Sequence, residues 1–117
     1  MPAPVETVID LDHLARMTLG DASLEAEVLM LFDRQAEVLL GRMLDATPAA
    51  AAAFAHTLKG SARGIGAWRV ADAADAVEAN AIRSNPNGAA SAVARLAAAV
   101  DEARAAIADR LRSHAAL

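Results

Sequence analysis

The 117-residue chain contains no cysteine and no tyrosine, and it has only one tryptophan and two phenylalanines. Without cysteine there is no disulfide framework and no thiolate metal site. An all-β domain would need more β-branched and aromatic residues than are present. Long apolar runs are missing as well: PAAAAAFA at 48–55 is too short and too weakly hydrophobic to span a bilayer. The first ten residues, MPAPVETVID, lack the basic cluster and leucine-rich stretch of a secretion signal. There is no basic excess either. Eleven Lys and Arg stand against fifteen Asp and Glu, a net charge of -4, which argues against nucleic acid as a partner. The expectation is a soluble, cytoplasmic protein that engages neither membrane nor nucleic acid.

Apolar residues make up 56% of the chain, and alanine, leucine and valine dominate them. That composition favours helices packed closely through small side chains. The length suits one domain spanning 1–117. Residues 1–8, with two prolines, read as an extended, flexible lead, and residues 113–117 as a fraying end. Asp10 is placed to cap a short helix running to about Thr18 and ended by Gly20. Asp21 caps a second segment, in which Leu24, Val28, Leu31, Phe32, Val38, Leu39 and Met43 recur with helical spacing over 22–44. Thr47-Pro48 is an N-cap followed by proline at the first helical position. This third helix stops at Gly64 or Gly66, where glycine supplies the left-handed turn. A fourth begins near Ala67, with Val70, Ala74, Val77 and Ala81 on one face. The Ser84–Gly88 stretch reads as a loop, and a last helix runs from about Ala89 to Leu111. The fold class is therefore all-α: an antiparallel four-helix bundle with a short extra N-terminal helix.

Residues 55–66, AHTLKGSARGIG, depart from this alanine-rich pattern. At about 100° per residue, Phe54, Leu58 and Ile65 lie about 160–200° from His56. With those three as the core stripe, His56 faces solvent. Its own face carries Ala49, Ala52, Ala53, Lys59, Gly60, Arg63 and Gly64, nearly bare apart from two cations. Glycine in a helix interior costs about 0.5–1 kcal/mol relative to alanine. At Gly60, one turn from His56, the missing side chain opens the approach to the distal ring nitrogen. Lys59, one turn along, is expected to favour the neutral, nucleophilic imidazole and lower its pKa from about 6.5. The same cations are placed to steady a phosphoryl group carried on His56.

The stretch AHTLKGSARGIGA at 55–67 resembles the signature of histidine phosphotransfer (HPt) domains: His-x-Leu-Lys-Gly, a short variable run, then Gly-Ala. LFDRQAEVLLGRM at 31–43 is similar to that family's preceding helix, and VADAADAVE at 70–78, including Glu78, to its next one. The resemblance implies a four-helix bundle whose exposed histidine accepts a phosphoryl group from a receiver-domain aspartyl phosphate and passes it to another receiver aspartate. His56 is then the phosphorylation site, Lys59 stabilises the phosphoryl group, and Gly60 keeps the approach open. The implied partners are receiver domains of response regulators or of a hybrid histidine kinase, engaged by a monomer. Magnesium belongs to the receiver, so no cofactor or metal ligand is implied in this chain. A phosphohistidine carrier needs no ATP-binding kinase activity. One departure is Gly64, where many members carry Asn or Ser, so the rim of the docking surface differs here.

The partner-facing set expected around His56 is Ala52, Ala53, Arg63, Gly64, Trp68 and Gln35. Gln35 breaks the apolar stripe of its helix and has two readings, orienting the His56 ring or sitting at the core boundary. Trp68 follows the glycine turn and is either a plug at the bundle end or a border of the docking site. His13 and His114 lack the setting of His56 and read as structural. Two rival functions stand beside the phosphocarrier. A histidine-kinase dimerisation bundle would have an acid after its histidine, where this chain has Thr57, and a proline soon after, where none occurs before Pro86. A helical adaptor would bind a partner through an apolar groove without chemistry.

Overall fold

The computed structural model describes residues 4–83 and 86–115. Two short helices, α1 (Val5–Val8) and α2 (Leu11–Met17), precede four long ones: α3 (Ala22–Met43), α4 (Pro48–Ile65), α5 (Trp68–Arg83) and α6 (Pro86–Ala115). The caps expected from sequence are made. Asp10 accepts from the His13 N–H at 3.0 Å, Asp21 from Leu24 at 3.0 Å and Thr47 from Ala50 at 3.2 Å. Each satisfies an amide that the helix leaves unpaired.

α4 packs on α3 and α5, and α6 closes the ring by packing on α5 and α3. Contacts across each seam run in opposite chain directions. Glu25 near the start of α3 meets Arg110 near the end of α6, and Asp33 meets Arg104 one step further in. Arg69 likewise meets Glu102 across α5 and α6. The bundle is therefore antiparallel. Its 48 Å long axis is close to the roughly 45 Å expected for a straight helix the length of α6.

Leu14, Leu29, Phe32, Leu58, Leu96, Val100 and Ile107 fill the core, each contributing about 1.5–3 kcal/mol through burial. Ala36, Ala55, Ala62, Ala74 and Ala103, all fully buried, stand between them and let the backbones approach closely. On α4 the buried stripe is Ala51, Ala55, Leu58, Ala62 and Ile65. Phe54, expected in that stripe, is only half-buried at its edge, because the helix turn places Ala51, Ala55, Leu58, Ala62 and Ile65 at the centre of the buried face.

Three expected boundaries differ. Residues 5–8 form a helical turn rather than an extended lead, and Val8 and Ile9 are buried against the bundle. α6 begins at Pro86, inside the expected loop, since proline suits the first helical position as well as a turn; residues 84 and 85 lie outside the described residues. α6 also continues through residues 113–115, where His114 is held against Glu25; residues 1–3 and 116–117 are likewise outside. Among the described residues no helix is long and apolar enough to cross a membrane.

Candidate functional site

α4 ends at Ile65, one residue beyond Gly64, and is capped by Gly66. Gly66 takes the left-handed conformation (φ 78°), its N–H bonds the Arg63 carbonyl, and Ala67 N–H bonds Ala62 at 2.8 Å. This pair closes the last turn as a Schellman motif. A Cβ at Gly66 would stand 2.9 Å from Asp10 Cβ, so glycine is needed both for its φ and for this contact. The corner is latched to α2. Asp10 N–H bonds Gly66 O at 3.0 Å, Trp68 Nε1 donates to Asp10 at 3.1 Å, and His13 Nε2 donates to the Arg63 carbonyl at 2.8 Å. The hydrogen bonds from His13 N–H and Trp68 hold the Asp10 carboxyl below its usual range. His13 thus caps the end of α4, and its ring lies 4.9 Å from that of Trp68.

With the helix fixed at both ends, His56 projects outward, its side chain 72% exposed. Its Nδ1 lies 3.2 Å from Glu78 Oε2 on α5. Among the described residues Nε2 makes no hydrogen bond and faces solvent. The charged neighbour of the ring is therefore a carboxylate, where the sequence suggested an ammonium. Lys59 turns to α5 instead, only 12% exposed, with Nζ 2.7 Å from Glu78 Oε1 and 3.2 Å from Asp75 Oδ1. Hydrogen bonds to Glu78 and then Asp75 raise the Lys59 pKa and keep it an ammonium. Burial pushes Glu78 up, but Lys59 and His56 outweigh it and hold the carboxyl below its ordinary range. Lys59, Glu78 and His56 form one chain of contacts in which the lysine secures the carboxylate and the carboxylate secures the ring. Glu78 entered the sequence reading only as part of a helix motif. Its contact spans 22 positions, beyond any local pattern.

The remaining candidates fall into three places. Ala52, Ala53, Gly60, Arg63 and Gly64 share the outer face of α4 with His56, exposed or half-buried. No atom lies within 4 Å of a Cβ built at Gly60 or Gly64, so packing within this chain does not require either glycine. Gln35 lines a groove of about 270 Å³ between α3 and α4, together with Met17, Val28, Leu31, Ser61 and Gly64; the His56 ring is held from the opposite flank by Glu78. Trp68, 42% exposed, belongs to the Asp10 latch rather than the core. It lies beyond the end of α4, more than about 13 Å along the helix from His56. Among the described residues no group of three or more His, Asp or Glu is arranged to hold a metal ion.

The architecture is shared with a solved structure described as a histidine-containing phosphotransfer protein from rice. The two superpose with a TM-score of 0.80 at 18% identity, over 92% of this chain and 81% of that one; at this identity the likeness concerns the fold. No curated protein matches the sequence. The family model of the Hpt domain matches residues 22–106, from the start of α3 into the last third of α6 and across the whole His56 face. The chain belongs to the Hpt domain family.

Proposed function

We propose that the protein is a monomeric phosphorelay intermediate that carries a phosphoryl group on His56 between receiver domains. The observation that carries this reading is the division of labour on the imidazole: Nδ1 is held by Glu78 while Nε2 is unbonded on an exposed ring. With the proton on Nδ1 donated to Glu78, the Nε2 lone pair is directed outward. It attacks the phosphorus of a receiver aspartyl phosphate. The N–P bond forms as the P–O bond to the aspartate breaks, and the bonding pair leaves with the receiver carboxylate. The ring retains its Nδ1 proton and becomes cationic, and the adjacent Glu78 carboxylate offsets that charge. Transfer to a second receiver runs the same steps in reverse. The divalent ion that assists belongs to the receiver's own carboxylates.

Lys59 acts by keeping Glu78 ionised and in place. Gly60 and Gly64 leave the surface beside the ring flat enough for another domain to approach. The neighbouring groove, with Met17 and Leu31 exposed at its rim, offers apolar area for that domain to cover. The test is incubation with a receiver domain carrying radiolabelled aspartyl phosphate. The expected product is an acid-labile, base-stable label on this chain that is absent from His56→Gln. Full labelling of that variant would overturn the assignment.

A further inference from the structure

α4 carries two fixed cations and no carboxylate of its own. The first of them, Lys59, is engaged by both Glu78 and Asp75, so that cluster as a whole is negative. The second, Arg63, is exposed and forms no ion pair among the described residues. It stands two turns beyond His56 and about 20° around the helix from it. Long side chains on a helix lean toward its N-terminus, which directs the guanidinium back toward the imidazole. Between the two lies Gly60, with open space where a side chain would stand. Beneath Arg63 the backbone is fixed, its carbonyl accepting from both His13 Nε2 and Gly66 N–H.

A receiver presenting an aspartyl phosphate brings a pocket of acidic groups to a chain whose own net charge is -4. Its approach to the His56 face meets repulsion from the whole protein and from the Lys59 cluster. We propose that Arg63 is the steering cation of this face, meeting the negative rim of the phosphorylated receiver and bringing its aspartyl phosphate over His56. This rests on the phosphorelay reading above and separates two roles: Lys59 works inward on Glu78, Arg63 outward on the partner. Opposite charges that meet during encounter raise the association rate and are screened by salt.

The experiment uses the receiver that gives the fastest transfer to the unmodified chain. Second-order transfer rates are followed by rapid quench against sodium chloride for the wild type, Arg63→Gln, Arg63→Glu and Arg63→Lys. Labelling by phosphoramidate, a small donor that needs no docking, is run in parallel. At low ionic strength Arg63→Gln is expected about fivefold slower and Arg63→Glu about twentyfold slower, with Arg63→Lys near wild type. Near about 0.5 M salt the differences fall within about twofold, and phosphoramidate labels all four alike. Receiver rates indifferent to the charge at position 63 would overturn the proposal. So would a deficit that persists at high salt, or one that phosphoramidate labelling shares. Label on His56→Gln would instead defeat the phosphorelay reading, whatever Arg63 does.

Discussion

Among the described residues a histidine–carboxylate–cation cluster is built twice, with opposite results. At the α3–α6 seam, Arg110 grips the buried Glu25 with two hydrogen bonds of 3.1 and 3.0 Å, and His114 Nε2 joins the same carboxylate. At the α4–α5 seam, Lys59 and His56 share Glu78. His114 is 20% exposed and His56 is 72% exposed. The more telling difference is the nitrogen used. His114, like His13 on the Arg63 carbonyl, is bonded through Nε2, the outer end of the ring. His56 is bonded through Nδ1, the end nearer its own backbone. A ring held at its tip is a strut; a ring held at its base presents its tip.

The comparison breaks most sharply at the rings themselves. His56→Gln is expected to abolish phosphoryl acceptance from phosphoramidate and receiver alike, while thermal unfolding stays within about 0.5 kcal/mol of wild type, as for most exposed sites. His114→Gln should do the reverse, keeping acceptance and lowering stability. Equal labelling of both variants would erase the distinction.

Next in size is Arg110→Met, which leaves Glu25 buried with His114 alone and should cost about 2–3 kcal/mol near neutral pH. Burial pushes the Glu25 carboxyl up, but Arg110 and His114 outweigh it and hold it below its usual range. A lowered folded-state pKa stabilises above the ordinary glutamate value of about 4.3, and that stability is lost as pH falls through the lowered one. The two proteins should therefore converge in acid; urea unfolding across pH checks this.

Glu78→Ala should slow transfer about tenfold, because the ring loses the acceptor that fixes its tautomer. Glu78→Gln, whose amide oxygen can still accept from Nδ1, should lose less. Equal rates in both variants would reduce Glu78 to a surface charge.

The smallest effects contrast two glycines. Gly60→Ala meets no neighbouring atom and should stabilise the chain by about 0.5–1 kcal/mol; larger side chains there should progressively weaken receiver transfer. Gly66→Ala, with φ 78° and Asp10 Cβ at 2.9 Å, should destabilise by about 1–3 kcal/mol. Calorimetry of the pair settles whether Gly60 is kept for this chain's packing or for something outside it.

What was legible in the sequence was what depends on near neighbours. Asp10, Asp21 and Thr47 announce helix starts because a cap acts over three residues. The spacing around His56 places it away from Leu58 because helix geometry is fixed. Boundaries blurred where one residue serves two purposes: Pro86 fits a turn or a first helical turn, and Gly64 and Gly66 both suit a stop. Gly66 takes the left-handed φ against Asp10 while Gly64 stays helical, and the Asp10 contact comes from 56 positions away. The partners of Lys59, His13 and His114 were hidden for the same reason. Each is set by which helix lies alongside and in which register, and no periodicity within one helix records that.

The latch at the end of α4 has a practical side. Trp68 is the sole tryptophan and the chain has no tyrosine, so nearly all its ultraviolet emission arises at one corner, from an indole tied to Asp10 and lying against His13. Loosening α2 changes the surroundings of that indole first. The protein thus carries a built-in optical gauge of whether its N-terminal strap is seated.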